Sequence, residues 1–260
     1  MSLHKLSLAL ININTLNDKK LPLFNTCTFD DSISFITEVN ADTPERVNSI
    51  TYDESYEYHF IPKESDFSQR IAIRKKKGDK NVSITVLDHL YITQNRKQRD
   101  KSSCQIIYAR IRISFLHFTT MLIYRCPDSD PETDNSMYDF INNYNPDTFL
   151  GDLNINLFEK KSIKDMHQRV PHRQIVKTGT RSECRRDRDA SETLIDHFWV
   201  QPKLEHRFRA KVLDVSEYSI TDHKLVRIET DLKITPAKIT FTPELDRFRR
   251  YQSRPFMGGG

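Results

Sequence analysis

Glycine is scarce in this chain of 260 residues: there are six, and three of them form the last three positions. A loop that cradles phosphate groups with its backbone needs several glycines close together in the sequence. The three remaining glycines cannot build such a loop. We therefore exclude the P-loop and Rossmann classes of nucleotide-binding proteins.

Cysteine and long apolar runs are also in short supply. The four cysteines, at positions 27, 104, 126 and 184, form no C-x-x-C pair, which favours free thiols in a reducing compartment. The apolar runs are much shorter than the roughly 18–20 residues that cross a bilayer. The first residues lack the apolar segment and cleavage site of a secretory signal. These absences predict an intracellular protein without a membrane-spanning segment.

The charges nearly balance, with 40 Lys and Arg against 36 Asp and Glu and a net charge of +4. Such a mildly basic chain is compatible with a polyanionic partner but does not establish one. Leu, Ile, Val and Phe together exceed the roughly 20% below which a chain stays disordered. We therefore expect a folded protein.

Most apolar segments are four to ten residues long and rich in β-branched residues, which predicts strands. Helical spacing is rarer and predicts helices over residues 132–144, 44–50 and 162–170. Strands that outnumber helices and alternate with them indicate a layered α/β domain with mixed sheets. The polar segments 74–81, 94–103 and 181–190 are predicted to be surface loops. The basic run 74–77 is interpreted as a solvated hairpin tip, with a nuclear-import signal or a phosphate contact as alternatives.

Polar residues stand where several predicted strands end. They are Asn12, Glu38, the Gly-Asp-Leu-Asn segment 151–154, the Asp-His pair 196–197 and the Asp-His pair 222–223. A metal-assisted hydrolase needs these types: carboxylates that bind a hard cation, one carboxylate that activates water, and donors that stabilise charge on a phosphate. Asp88-His89 has the same dipeptide without the surrounding pattern, so we assign it to structure.

In their order, these segments resemble the endonuclease/exonuclease/phosphatase superfamily, which includes apurinic-site endonucleases, DNase I and the endonuclease domains of LINE-type (non-LTR) retrotransposons. The retrotransposon branch is most similar. The matching segments are residues 11–17, 36–39, 123–127, 149–157, 179–181, 191–198 and 220–223. Two positions depart from the pattern: Thr15 stands where glycine is usual, and residues 68–73 lack a glycine pair.

The resemblance implies a DNase I-like four-layer α/β sandwich, in which two mixed β-sheets are flanked by helices. It implies a role for each strand-end residue. Asp152 deprotonates water, Asn154 contacts the phosphate and holds Asp152, and His223, oriented by Asp196, donates to a phosphate oxygen. The metal group comprises Glu38, Asn12 and Asp222. The implied phosphate contacts are Tyr124, Thr180 and Arg181.

The function implied is a Mg²⁺- or Mn²⁺-dependent DNA endonuclease that leaves 3′-hydroxyl and 5′-phosphate ends, located in the nucleus. The implied partner is nucleic acid, with DNA favoured over RNA, and no interaction with a membrane is expected. Alternatives stay open: an RNA-directed nuclease or deadenylase of the same fold, or an inactive nucleic-acid-binding or structural relative. The chain can be a piece of a larger polyprotein or complex, or a stand-alone relative. The domain is expected over residues 1–235, followed by an extension, 236–260, with a short basic helix and a glycine tail.

Overall fold

A computed structural model describes residues 6–62, 68–94, 101–113, 116–183 and 191–230. Two six-stranded sheets and one two-stranded sheet account for the strands in these ranges. In spatial order, the first sheet contains β13 (Phe208–Leu213), β14 (Leu225–Thr230), β1 (Leu6–Asn12), β2 (Ile33–Ala41), β4 (Gln69–Lys76) and β3 (Tyr56–His59). The second contains β5 (Val82–Gln94), β6 (Lys101–Ile113), β7 (Leu116–Arg125), β8 (Thr148–Asp152), β12 (Asp196–Val200) and β9 (Arg173–Gln174). The small sheet pairs β10 (Arg181–Glu183) with β11 (Ser191–Thr193).

Both large sheets are mixed. The first has one parallel pair, β1 with β2, and the second has one parallel pair, β7 with β8; the other neighbouring strands run antiparallel. The helices in the described ranges are α1 (Lys20–Cys27), α2 (Pro44–Thr51), α3 (Pro131–Tyr144) and α4 (Lys160–Arg169), with 3₁₀ turns at Pro202–Arg207 and Ser216–Tyr218.

Strand β1 shows why the sheets stack as layers. Its apolar residues alternate between two cores: Leu8 and Leu10 face the second sheet, whereas Ala9 and Ile11 pack with residues of α1 and α2. Successive strand residues point to opposite faces, so a strand that is apolar on both faces must be covered on both. Residues of α3 and α4 cover the outer side of the second sheet. The predicted four-layer α/β sandwich is confirmed.

The helix predictions agree with α2, α3 and α4 to within two residues. The sequence pattern missed α1, whose one fully buried residue is Phe24. The cysteines at positions 27, 104 and 126 are free thiols, as predicted. None of the helices in the described ranges is long and apolar enough to cross a membrane. The prediction of a surface loop over 94–103 was wrong at both ends, since Gln94 ends β5 and residues 101–103 begin β6. Cys184, residues 95–100 and the predicted extension 236–260 lie outside the described residues.

The interpretation of residues 74–77 as a solvated tip was wrong for Arg74. This residue belongs to β4 and is 1% exposed. Its guanidinium carbon lies 3.9 Å from the ring centroids of both Phe24 and Tyr56. The stacked cation joins α1 to the sheet, a contact that charge patterning along the chain cannot reveal. The segment 181–190 was predicted as a loop, but its first three residues form β10.

Candidate active site

The strand-end residues of the second sheet form a row along one edge. In the parallel pairing of β7 with β8, Tyr124 stands beside Asp152. In the antiparallel pairing of β12 with β8, Asp196 stands on the other side of Asp152. Directly opposed residues of neighbouring strands share a face of the sheet. The phenol and the two carboxylates therefore lie side by side.

Asn12 reaches this row from the other sheet. It closes β1, and its Nδ2 donates to Oδ2 of Asp152 over 2.7 Å. Its Oδ1 accepts from the backbone N–H of Asn14 over 2.9 Å. Asn12 and Asp152 are both almost fully buried. With both ends of its amide in use, Asn12 supports Asp152 directly.

The Gly-Asp-Leu-Asn segment needs its glycine for a steric reason. Gly151 has φ +146°, and a Cβ atom there would lie 1.8 Å from the carbonyl oxygen of Ile123. Only glycine permits β7 and β8 to approach so closely. Past the strand, Asn154 donates its backbone N–H to Oδ1 of Asp152 over 3.0 Å. The side-chain amide of Asn154 donates to the carbonyl oxygen of Arg125 over 2.8 Å, so the backbone is what holds Asp152.

A second hydrogen-bonded pair completes the site. Nδ1 of His223 lies 2.8 Å from Oδ2 of Asp196, and both side chains are buried. His223 Nε2 makes no hydrogen bond to any residue in the described ranges. The ring is thus anchored at one nitrogen, which fixes its orientation and leaves the other nitrogen for a ligand.

Thr180, predicted as a phosphate contact, has a different position. Its side chain is fully buried, and Oγ1 accepts the backbone N–H groups of Ile195 and Asp196 over 3.2 and 3.0 Å. Its carbonyl oxygen accepts the N–H of Lys224 over 2.7 Å. Thr180 therefore joins the start of β12 to the His223 segment, and its hydroxyl oxygen is engaged by two backbone N–H groups.

Glu38 lies in a bulge of β2. Thr37 pairs with Ile71 and Ala41 with Gln69, so residues 38–40 stand opposite the single residue Arg70. Glu38 has φ +52°, a conformation that costs a non-glycine residue about 1 kcal/mol or more. A bulge redirects side chains out of regular alternation. The charge of Glu38 acts on both Asp152 and Tyr124, so its carboxylate lies at the same edge.

Burial and neighbouring charges shift the pKa values of three side chains in the site, Asp152, His223 and Tyr124. Burial, with the charge of Asp196 added, raises the pKa of Asp152 to about 8. Burial alone would lower the pKa of His223, but the carboxylates of Asp196, Asp152 and Asp222 outweigh it and raise the pKa to about 9. Burial also raises the pKa of Tyr124. The phenol therefore stays neutral, and the imidazole is cationic at neutral pH.

Sequence patterns missed Lys20, which lies beside the acidic groups. Its Nζ donates to the carbonyl oxygens of Ile13 and Asn14 over 2.8 and 2.6 Å. Burial lowers its pKa, while the charges of Asp222 and Glu38 act in the opposite direction. A lysine eight positions after Asn12 carries no recognisable signal, because its contacts are with backbone atoms. Arg181 was found from the sequence, and its Nε lies 2.8 Å from Oδ2 of Asp222.

The acidic groups fit a hard divalent cation. Asp152, Asp196 and His223 offer ligand atoms within 4.8 Å of one another, but a protonated ring that donates to Asp196 is a poor metal ligand. Glu38 and Asp222 offer carboxylate oxygens, the ligands that Mg²⁺ prefers, and both lie within electrostatic range of Lys20.

Comparisons with solved structures place the fold. No protein-family model matches the chain, and no curated protein matches its sequence. The endonuclease domain of TRAS1, a telomere-specific non-LTR retrotransposon, superposes with a TM-score of 0.61 at 12% identity over 88% of this chain and 99% of that domain. The apurinic-site endonuclease LMAP from Leishmania major gives 0.64 at 10% identity, over 87% and 88%. The mannosyl-6-phosphatase Bt3783 of Bacteroides thetaiotaomicron gives 0.60 at 14% identity, over 86% and 98%.

These likenesses confirm the predicted architecture: the chain has the DNase I-like fold of the endonuclease/exonuclease/phosphatase proteins. At 10–14% identity they show the fold alone. The three neighbours include two nucleases and a phosphatase of a sugar phosphate, so the fold does not decide the substrate. The substrate has to be argued from the site.

Proposed function

We propose that this chain is a divalent-metal-dependent phosphodiesterase that acts as a DNA endonuclease. The observation that carries the proposal is the meeting of two hydrogen-bonded pairs at one edge of the sandwich, Asn12 with Asp152 at 2.7 Å and Asp196 with His223 at 2.8 Å. One pair presents a carboxylate and the other a cationic imidazole. Hydrolysis of a phosphodiester needs both, a base for water and a donor for the phosphate.

Asp152 is the base for the attacking water. The amide of Asn12 and the backbone N–H of Asn154 each bind one of its oxygens, which fixes the plane of the carboxylate. Burial and the charge of Asp196 raise the pKa of Asp152, so this carboxyl binds a proton more strongly than an exposed Asp, as a general base requires. The proton of the attacking water moves to Asp152.

His223 stabilises the charge that develops on the phosphate. Its Nδ1–H donates to Asp196, so its Nε2–H is available to a non-bridging phosphate oxygen. A positioned donor that acts where negative charge accumulates lowers the barrier to reaction. Tyr124, neutral and beside Asp152, is a further hydroxyl donor at the same edge. Arg181, half-exposed on β10, provides positive charge at the rim.

Glu38 and Asp222 are the residues we assign to the metal. A bound Mg²⁺ or Mn²⁺ ion neutralises phosphate charge. Asn12 supports Asp152 through Nδ2, and its Oδ1, which accepts one N–H and keeps a second lone pair, is a further ligand that we propose for the metal.

DNA is the proposed substrate because the two nuclease neighbours are a retrotransposon endonuclease and an apurinic-site endonuclease, and because the motif order resembles the retrotransposon branch. We propose 3′-hydroxyl and 5′-phosphate ends and action in the nucleus, either as a stand-alone protein or within a larger polyprotein or complex. The alternatives are an RNA-directed nuclease of the same fold and an inactive relative that only binds nucleic acid.

The test is cleavage of supercoiled plasmid by the purified protein, with Mg²⁺ and with chelator. Mg²⁺-dependent nicks that DNA ligase reseals without further treatment support both the activity and the end chemistry. Structured RNA and poly(A) are assayed in parallel. If either is cleaved faster than the plasmid, RNA rather than DNA is the substrate. Plasmid that is bound but never nicked supports the inactive relative. Asp152→Asn is the negative control, and Asp88→Asn is the matched control for an Asp-His dipeptide elsewhere in the fold.

A further inference from the structure

Arg70 is a cation at the edge of the site that the roles above do not use. It stands on β4 directly opposite the bulge that carries Glu38, as the pairing of the neighbouring residues requires. Its side chain is half-buried.

The guanidinium of Arg70 forms one hydrogen bond with the described residues, and its other donors form none with them. Nη1 donates to Oδ1 of Asn40, and Nε is buried without a hydrogen-bond partner among the described residues. Within the same part of the chain, Nη2 donates to no residue and no carboxylate forms an ion pair with Arg70. Arginine normally satisfies most of its five donors. Among the residues that the structure describes, the positive charge of Arg70 is thus not neutralised and can meet an anion.

The backbone of Arg70 is rigid. Its N–H donates to Oε1 of Gln105 over 2.8 Å, and Nε2 of Gln105 donates to the carbonyl oxygen of Ser68 over 2.6 Å. Gln105 pairs with Tyr124 in the second sheet, and the charge of Arg70 acts on the Tyr124 hydroxyl. The start of β4 is thus fixed beside the row of strand-end residues.

The order of strands separates Arg70 from the reacting centre. In the first sheet β4 follows β14, β1 and β2, and neighbouring strands lie about 4.8 Å apart. Arg70 is therefore two strands, roughly 10 Å, from the strand that ends at Asn12, on the side away from His223. A single phosphate group held by His223 cannot extend across this distance, whereas a polynucleotide can place another phosphate there.

We propose that Arg70 binds a second phosphate of the substrate, one along the strand from the phosphate that is cleaved. The inference rests on the proposed function and deepens it, because it specifies a substrate with several phosphates rather than a small phosphate ester. Arginine offers a planar, bidentate contact to phosphate. Asn40 keeps the guanidinium in place at the bulge.

The first test is the salt dependence of oligonucleotide binding, measured by fluorescence anisotropy without divalent metal so that no cleavage occurs. Each phosphate contact contributes about 0.7–0.9 to the slope of log affinity against log salt. We expect Arg70→Gln to make the slope shallower by that amount and to weaken binding about 10-fold at low salt. Arg70→Lys should keep most of the slope.

Two control variants separate charge from structure. Asn40→Ala removes the hydrogen-bond acceptor of Arg70 but leaves the charge, so the slope should stay. Arg169→Gln removes an arginine paired with Asp165 on α4, and should change neither slope nor affinity. An unchanged slope in Arg70→Gln, or an equal loss of slope in Arg169→Gln, would overturn the inference.

The second test compares two substrates with Mg²⁺ present. Bis(p-nitrophenyl) phosphate is a diester with one phosphate, whereas an oligonucleotide carries many. We expect Arg70→Gln to raise KM for the oligonucleotide about 10-fold more than for the small diester. Equal losses on the two substrates would place Arg70 at the reacting phosphate and refute the second-phosphate contact. A wild-type protein that hydrolyses only the small ester contradicts the proposed function itself, a result distinguishable from the others.

Discussion

Replacing Asp196 by asparagine tests the link between the acidic strand end and the imidazole of His223. The two groups lie 2.8 Å apart and are both buried. The rise in the pKa of His223 from 6.5 to about 9 corresponds to about 3 kcal/mol in favour of the protonated ring. Burial opposes this rise, so it depends on the surrounding carboxylates, among which Asp196 acts most strongly.

In Asp196→Asn the pKa of His223 should fall to about 6.5 or below, since burial then faces only the weaker effects of Asp152 and Asp222. At pH 7.5 the ring would change from almost wholly protonated to mostly neutral. We expect plasmid nicking at that pH to fall by about 100-fold, the usual loss when a charge-stabilising donor is removed. The deficit relative to wild type should shrink towards pH 6, because the ring regains its proton.

Two measurements check this prediction. Histidine ring resonances followed by NMR between pH 5.5 and 9.5 report the pKa of His223 whether or not the protein cleaves DNA, with His223→Gln used for assignment. Nicking rates over the same range report the pH dependence of the deficit. Asp88→Asn is the control, since Asp88 accepts a hydrogen bond from Tyr144 on the outer face of the second sheet. An unaltered pKa of His223, or a deficit that does not vary with pH, would refute the reasoning.

Three other predictions concern single residues of the same region. Asp152→Asn should abolish Mg²⁺-dependent cleavage while the melting temperature in chelator stays the same or rises, because a buried carboxyl near Asp196 is removed; a clear drop in melting temperature would assign Asp152 to stability. Gly151→Ala should prevent folding or cost several kcal/mol in urea unfolding, because its Cβ would lie 1.8 Å from the Ile123 carbonyl oxygen; a stable, soluble variant contradicts the backbone geometry. Burial lowers the pKa of His197 to about 4, so the unfolded chain takes up its proton first as pH falls below 6.5. The free energy of unfolding should then decline by up to about 3 kcal/mol more in wild type than in His197→Gln between pH 6.5 and pH 4, and parallel pH curves would show that His197 is not the group responsible.

Local patterns in the sequence were sufficient to predict a layered α/β domain with mixed sheets, whereas the four-layer sandwich was implied by the resemblance in motif order. Helix α3 is an example: Asp130 accepts the N–H of Thr133 as an N-cap, and Pro131 occupies the first turn, signals that lie next to each other in the chain. Helix α1 was missed because it has one buried residue, Phe24, no side-chain cap and little amphipathic pattern. A helix with a capping residue and a proline in its first turn, such as α3, could be predicted from the sequence, whereas α1, which lacks a side-chain cap, could not.

The types and order of the site residues were also readable from the sequence. A polar residue at the end of an apolar strand stands at an edge of the sheet, and the ends of neighbouring strands meet there. This reasoning selected Asn12, Asp152, Asp196 and His223, whose side chains the structure brings into hydrogen-bonded pairs. The glycine at position 151 was recognised as part of a motif, but the approach of Ile123 that requires it was not visible.

The tertiary structure alone decided which of the polar groups face the cleft and which support it. Thr180 has the right type and position in the chain for a phosphate contact, but it lies buried beneath β12. Arg74 belongs to a run of four basic residues, but it stacks between two aromatic rings. Arg70, four positions earlier, lies beside the bulge and has unpaired donors with respect to the part of the chain that the structure describes. These differences depend on contacts between segments far apart in the chain, such as Asn12 with Asp152. Periodicity and composition are properties of neighbouring residues, so they predict what a segment becomes but not which atoms it meets.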